Sequence, residues 1–296
     1  MQVHAAALDQ GAIHYMTGRP YLARLMGLGL RAPTDRVRGR ELAGRVRAVG
    51  KNVTRFRPGD EVFGIGEGTC AEYACASAAK LARKPANLTF EQAAAVGISA
   101  LTALQALRDT GKVRPGQKVL IIGAGGGVGT FAVQLAKVYG AEVTGVCSTT
   151  KTNLVRSIGA DHVIDYTIDD FADGKHRYDV ILDLAGNRPL SKLRRALTPH
   201  GILVMGGGED SRRWIGGFLM RSLRAMMLSP FVSQKLRTLM ATERGEDLQA
   251  LTAYLENGQI TPAIGRTYPL RDTPAAMRQL ADGFARGKLV ITVKAD

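Results

Sequence analysis

The chain has 296 residues, 45% hydrophobic and 22% charged, with 40 Lys and Arg against 26 Asp and Glu, a net charge of +14. At roughly 150 residues per domain that length predicts about two domains, with ample chain for a buried core, and the composition excludes a disordered protein. Cys70, Cys75 and Cys147 form no C-x-x-C and the histidines no H-x-x-x-H, which excludes a disulfide scaffold and a four-thiolate zinc lobe. This cysteine usage predicts a reducing, cytoplasmic setting and no structural metal. The positive charge admits a polyanionic partner, but Arg is scattered and forms no basic tail. Residues 1–10 lack a signal-peptide pattern, and Arg221 and Arg224 interrupt the most apolar late stretch, Phe218–Val232, so no membrane span is predicted.

Up to residue 97 the chain reads as short, Gly-punctuated segments. Leu42–Val49 and Glu61–Ile65 read as strands, with Arg57-Pro-Gly-Asp60 as the turn between them. Ala93–Leu107 reads as a helix. Five apolar strands then alternate with helical runs: Lys118–Ile122, Glu142–Cys147, His162–Asp165, Asp179–Leu182 and Ile202–Met205, separated by Gly129–Tyr139, Lys151–Ile158 and Pro189–Leu197. Continuous apolar strands alternating with helices predict a buried parallel sheet, an α/β doubly wound Rossmann-type domain over 98–237. The remaining chain carries a helix at Glu246–Glu256 and strands at Ile260–Tyr268 and Leu289–Val293. Its texture matches the first region, so 1–97 and 238–296 are expected to form one discontinuous β-rich domain.

Val119-Leu-Ile-Ile122 runs into Gly123-Ala-Gly-Gly-Gly-Val-Gly129. The fit is A-x-G-x-x-G at Ala124, Gly126 and Gly129. A small first residue allows the tight turn, Gly126 allows backbone to approach a pyrophosphate, and Gly129 allows the helix to pack on the sheet. The helix start, with Gly126, Gly127, Val128 and Gly129, would turn free N–H groups and the positive dipole end toward phosphates. In NAD sites an acid ends the second strand. Here that strand leads into Ser148, Thr149, Thr150 and Lys151, donors suited to a 2′-phosphate, so NADP(H) is favoured over NAD. The same residues could equally cap the helix that follows. Asp165 and Asp183 end strands that face the ligand crevice, or serve turn chemistry there. Tyr166 is placed beside the 2′-phosphate, and Gly206-Gly-Gly208 beside the nicotinamide half.

These segments resemble the medium-chain dehydrogenase/reductase superfamily, in its zinc-independent quinone-oxidoreductase (zeta-crystallin-like) branch. The carriers are Leu42-Ala-Gly44, Ala48-Val-Gly50, Phe56–Gly64, Ala100-Leu-Thr-Ala103, Gly123–Gly129, Gly159–Tyr166 and Gly287-Lys288. The resemblance implies a GroES-like β-barrel built from both ends of the chain and a Rossmann domain between them. It further implies NADPH-linked reduction of quinones or other α,β-unsaturated carbonyls, with Thr102 near the nicotinamide. Zinc-bearing relatives have Gly-His-Glu where this chain has Gly39-Arg-Glu41, so Arg40 takes the place of a ligand. Relatives also carry a few dozen residues before Val3-His-Ala-Ala-Ala-Leu8, which predicts a truncated or misplaced start and an unpaired sheet edge. Their Asn-Pro-x-Asp aligns with Asp9-Gln-Gly-Ala12, which bears on substrate handling.

Reduction of an enone needs a donor near the carbonyl oxygen and a proton source. Tyr15 and His14 are the candidates, with Tyr21 nearby and solvent as the alternative proton source. His162 is read as a strand-edge residue and Cys147 as a small buried hydrophobe. Arg212, Arg213, Arg221 and Arg224 are read as a solvated face on the Met-rich stretch Met220–Met227. The competing functions are a non-catalytic dinucleotide- or nucleic-acid-binding protein, and a homodimer formed through the sheet edge.

Overall fold

The computed structural model describes residues 1–19, 21, 37–207, 217–283 and 285–294. In chain order the strands and helices are β1 (Gln2–Leu8), α1 (Gln10–Thr17), β2 (Glu41–Arg45), β3 (Glu61–Ile65), β4 (Leu81–Arg83), α2 (Phe90–Ala94) and α3 (Gly97–Gln105). Then follow β5 (Lys118–Ile122), α4 (Gly127–Val138), β6 (Glu142–Cys147), α5 (Thr152–Ser157), β7 (His162–Asp165), β8 (Tyr178–Asp183) and α6 (Leu190–Ala196). The last are β9 (Leu197–Met205), α7 (Gly217–Leu228), β10 (Lys235–Thr238), α8 (Gly245–Glu256), β11 (Ile264–Pro269), α9 (Thr273–Ala281) and β12 (Lys288–Thr292).

Two compact units result. The first gathers Met1–Gly18, the described residues from Val37 to Leu101, and those from Thr242 onward; the second holds Thr102–Ala241 with Arg19 and Tyr21. The junctions fall inside α3 and after Ala241, a few residues beyond 97 and 237.

Among the described residues the first unit is built on one sheet in the order β11-β12-β1-β2-β3-β4. β1 is central, paired antiparallel with both β12 and β2, and the sheet's edges among the described residues are β11 and β4. Ala5, Ala6 and Ala7 are fully buried because both faces of β1 are covered, and small side chains let α2 lie close. Val3, Leu42, Val62, Leu289 and Ile291 form the core beneath.

The single helix expected over 93–107 is two helices, for a reason that lies far away in sequence. The buried Glu41 carboxylate accepts the Ile98 amide (2.7 Å) and the Ser99 amide (3.3 Å), capping a new helix start at Gly97. Lys288 of β12 pairs with the other Glu41 oxygen and donates to Ser99 Oγ (3.0 Å). One buried ion pair therefore ties β2, β12 and α3 together.

The second unit is an all-parallel sheet in the order β10-β9-β8-β5-β6-β7. Counted from its own first strand this is the doubly wound Rossmann order, in which the chain reverses direction between β5 and β8 and ligands bind beyond the strand C-termini there. Leu120, Val146, Ile181 and Leu203 fill the core on one face of the sheet, with Leu193 and Ala196 of α6 packed against them.

Candidate functional site

The glycine turn opens directly from the buried end of β5. Gly123 adopts φ +89, where L side chains are strained, and the turn closes through the Gly126 amide on the Gly123 carbonyl (3.1 Å). The other two glycines have different jobs. A methyl group at Gly129 would overlap the Gly123 carbonyl oxygen and lie 2.8 Å from Ala124 Cα, so Gly129 is required for helix-on-turn packing. A methyl group at Gly126 would meet one atom, the Gly123 oxygen at 3.4 Å. Gly126 faces open space, and that space lies at the start of α4, where the amides of Gly127, Val128 and Gly129 have no intrahelical acceptor. Gly126, at the N-cap position, has no side chain with which to cap this helix. The arrangement fits the diphosphate of a dinucleotide.

The β6 end supplies the neighbouring wall. Ser148 precedes a single turn, Thr149–Lys151, and the Lys151 stem lies across the glycine run, its Cβ and Cδ filling the space a methyl group at Gly125 would need. The Tyr166 amide donates to the Cys147 carbonyl (3.1 Å), which seats the β7 turn beside the β6 turn. Asp165 serves turn chemistry: its Oδ1 accepts the Thr167 hydroxyl (2.7 Å) and amide (3.0 Å), and Thr149 Oγ1 lies 3.1 Å from Thr167 Oγ1. Hydrogen bonds from Thr149 and Thr167 hold the Asp165 carboxyl below the usual carboxylate range. This acid is thus occupied by the hydroxyls around it.

Across the switch point the β8 turn is the meeting place. Leu184 and Ala185 lie against Gly123 on one side, and the Leu184 carbonyl fills the space beside Gly207 on the other, with the Leu184 side chain against Gly206. The glycine requirement at 207 is accounted for by that backbone contact. Gly208, Arg212 and Arg213 lie outside the described residues. Arg221 is not on a solvated face: its Nη2 pairs with the fully buried Asp183 Oδ2 (2.5 Å) and its Nη1 donates to the Gly207 carbonyl (3.3 Å). Asp183 Oδ1 also accepts the Gly186 amide (3.0 Å). Arg221 and Asp183 thereby fix both turns that follow β8 and β9. Thr102 is half-buried in α3.

Within the first unit, a cleft of about 390 Å³ is lined by Tyr15, Arg38, Arg40, Glu67 and Lys80 among others. The Arg40 guanidinium lies 5.3 Å from the Tyr15 ring centroid and pairs with Glu243, which also accepts Lys80 Nζ (2.7 Å). Partial burial pushes the Glu243 carboxyl up, but Lys80 and Arg40 outweigh it and hold it below its ordinary value. Tyr15 lines this cleft; His14, one residue away on the same helix, does not. Burial pushes the Cys70 thiol up to about 12 and, with Asp165 nearby, the Cys147 thiol up to about 11, so neither is a nucleophile near neutral pH.

Comparison with known proteins bears on this arrangement. Residues 1–86 match the family described as the alcohol dehydrogenase GroES-like domain, and residues 158–291 that described as zinc-binding dehydrogenase. The mitochondrial NAD(P)H oxidoreductase RTN4IP1 of Mus musculus is 34% identical over 86% of this chain and 70% of its own length. The chain belongs to the medium-chain dehydrogenase/reductase superfamily, in its quinone-oxidoreductase branch. Among solved structures, the quinone oxidoreductase of Coxiella burnetii superposes with a TM-score of 0.84 at 28% identity, covering 99% of this chain and 89% of that one. The mycobacterial Rv1454c, complexed with NADPH, also gives 0.84, at 25% identity over 99% of this chain and 90% of its own.

Zinc appears in a family name, yet the residues here do not fit it. Arg40 stands between Gly39 and Glu41, Glu41 is engaged by Lys288, and among the described residues no three His, Cys, Asp or Glu side chains converge on a metal position. No helix among the described residues is long and apolar enough to cross a membrane.

Sequence reasoning missed the Asp183–Arg221 clamp and the Glu243 node. Both join residues that no local motif connects. The one available signal for the first was an acid ending an apolar strand, which a buried sheet tolerates only with a partner.

Proposed function

We propose that this member of the family is an NADPH-dependent, zinc-free reductase of quinones or other α,β-unsaturated carbonyls. The observation that carries the cofactor choice is the β6 turn: it runs Ser148, Thr149, Thr150, Lys151, its Lys151 stem lies against the glycine run, and Asp165 at the end of the adjoining β7 accepts from the Thr167 hydroxyl. A 2′-phosphate is a dianion, and this wall offers it donors and a cation where an NAD site offers a repelling carboxylate.

In this reading the amides of Gly127, Val128 and Gly129 hold the diphosphate, with Gly126 giving the room. Ser148, Thr149, Lys151 and Tyr166 bind the adenosine 2′-phosphate, and Gly206, Gly207 and Thr102 border the nicotinamide half. When bound, the coenzyme supplies the hydride. The cleft beside Tyr15 takes the carbonyl substrate, and the Tyr15 hydroxyl donates to its oxygen as negative charge grows there. Arg40 on the Tyr15 ring face and Glu243 on Arg40 hold that phenol in place. Solvent supplies the final proton. Among the described residues β10 is an edge strand, and together with the exposed Leu223, Met226 and Met227 of α7 it supports a homodimer.

The deciding experiment is fluorescence titration with NADPH and NADH, followed by turnover on a quinone and enone panel. Preference for NADPH with turnover of an electron-poor alkene supports the proposal; equal affinity for the two coenzymes defeats the cofactor assignment.

A further inference from the structure

Arg188 is a cation with no carboxylate partner among the described residues. It follows β8 on a turn that is held firmly: the Gly186 amide is fixed by Asp183 (3.0 Å), Gly186 takes φ +65, and Pro189 precedes α6 with its ring-set φ of −65. It packs on an aromatic ring. The guanidinium carbon lies 5.4 Å from the centroid of the Tyr166 ring, which is itself half-exposed at the end of β7. Two strand-end turns, after β7 and after β8, therefore converge above the sheet through one stacked pair.

That pair adjoins the Lys151 turn. Thr149, which opens that turn, lies within hydrogen-bond distance of Thr167, the residue after Tyr166. Asp165 would be the natural partner for a nearby guanidinium, but its Oδ1 accepts from Thr167 and its carboxylate is held ionised by Thr149 and Thr167. A guanidinium stacked on a ring leaves its in-plane N–H edge free for an anion, and planar bidentate recognition of phosphate is what that edge does best. We propose that Arg188, seated on Tyr166, is a specificity-determining residue that binds the adenosine 2′-phosphate together with Lys151. This rests on the NADPH reading above and adds to it a second cation that no glycine-turn motif would disclose.

The test is equilibrium binding by isothermal titration calorimetry, with 2′,5′-ADP and 5′-AMP as probes that differ only in the phosphate concerned. Arg188→Gln should weaken 2′,5′-ADP about tenfold or more while leaving 5′-AMP within about twofold, since a hydrogen bond to a charged group is at stake. Tyr166→Leu, which removes the platform, should produce the same selective loss, and Tyr166→Phe, which keeps it, should retain most of the discrimination through Arg188. An equal loss for both probes in Arg188→Gln would overturn the proposal and give Arg188 a role in stacking adenine. No loss for either would overturn it also. If the unmodified protein fails to prefer 2′,5′-ADP over 5′-AMP, the NADPH reading itself falls; if it prefers it and Arg188→Gln changes nothing, only the role of Arg188 falls. 5′-AMP binding and an unchanged melting curve report that the variants are folded.

Discussion

Replacing Arg221 with Met keeps most of the aliphatic stem and removes the charge. Asp183, fully buried, would retain one donor, the Gly186 amide, and the Gly207 carbonyl would lose its partner. Breaking a buried pair from one side costs about 3–5 kcal/mol because the remaining charge stays desolvated. Arg221 is 12% exposed, so water can reach part of the site and the lower end, about 3 kcal/mol, applies. At about 2–4 °C per kcal/mol for a domain of this size, the melting temperature should fall by roughly 6–12 °C. Adding Asp183→Asn removes the stranded charge while preserving an acceptor for Gly186, so the double variant should be more stable than Arg221→Met alone. Urea and thermal unfolding followed by circular dichroism, across the full mutant cycle, measure the coupling. Losses that simply add, or a drop under about 1 kcal/mol in the single variant, would refute the claim that this pair fixes the switch-point turns.

The two glycines of the turn should separate cleanly. Gly126→Val should leave the melting temperature within a few degrees yet abolish coenzyme binding, whereas Gly129→Ala should destabilise the fold itself, because its methyl group has nowhere to go. Unfolding curves beside a fluorescence titration would show both. Tyr15→Phe should lower kcat about a hundredfold with coenzyme affinity unchanged, if its hydroxyl stabilises the developing oxyanion; steady-state kinetics on the preferred substrate decide this. Glu243 has a folded-state acidity strengthened by Lys80 and Arg40. Its contribution to stability is therefore present above the ordinary carboxylate range and lost as pH falls through its depressed folded value. Glu243→Gln should be less stable than the unmodified protein at neutral pH, and the gap should close on acidification; acid titration of the two proteins side by side checks the sign.

The parallel sheet was legible because its strands are apolar on both faces, and the glycine turn because only one geometry joins such a strand to such a helix. β10 escaped notice: Lys235–Thr238 is an edge strand, half-covered and polar, with no run of apolar residues to announce it. Gly97 looked like an interruption tolerated within a helix, and became a helix start through the distant Glu41 carboxylate. Arg221 and Arg224 are three residues apart on one helix and read alike in sequence, yet the first is paired beneath the surface and the second is exposed. That difference is set by what stands opposite, which periodicity does not record.

The placement of β1 between β2 and β12 has a consequence for biosynthesis. During translation its first neighbour, β2, is made before the second unit, but its second, β12, follows only after all of the second unit's strands. Until then one flank of an alanine-rich strand waits without hydrogen-bonding company. Meanwhile the second unit, whose strands are contiguous in sequence, has everything it needs to close. Newly made chains should thus pass through a state with one half finished and the other held open, the stage at which chaperones would meet them.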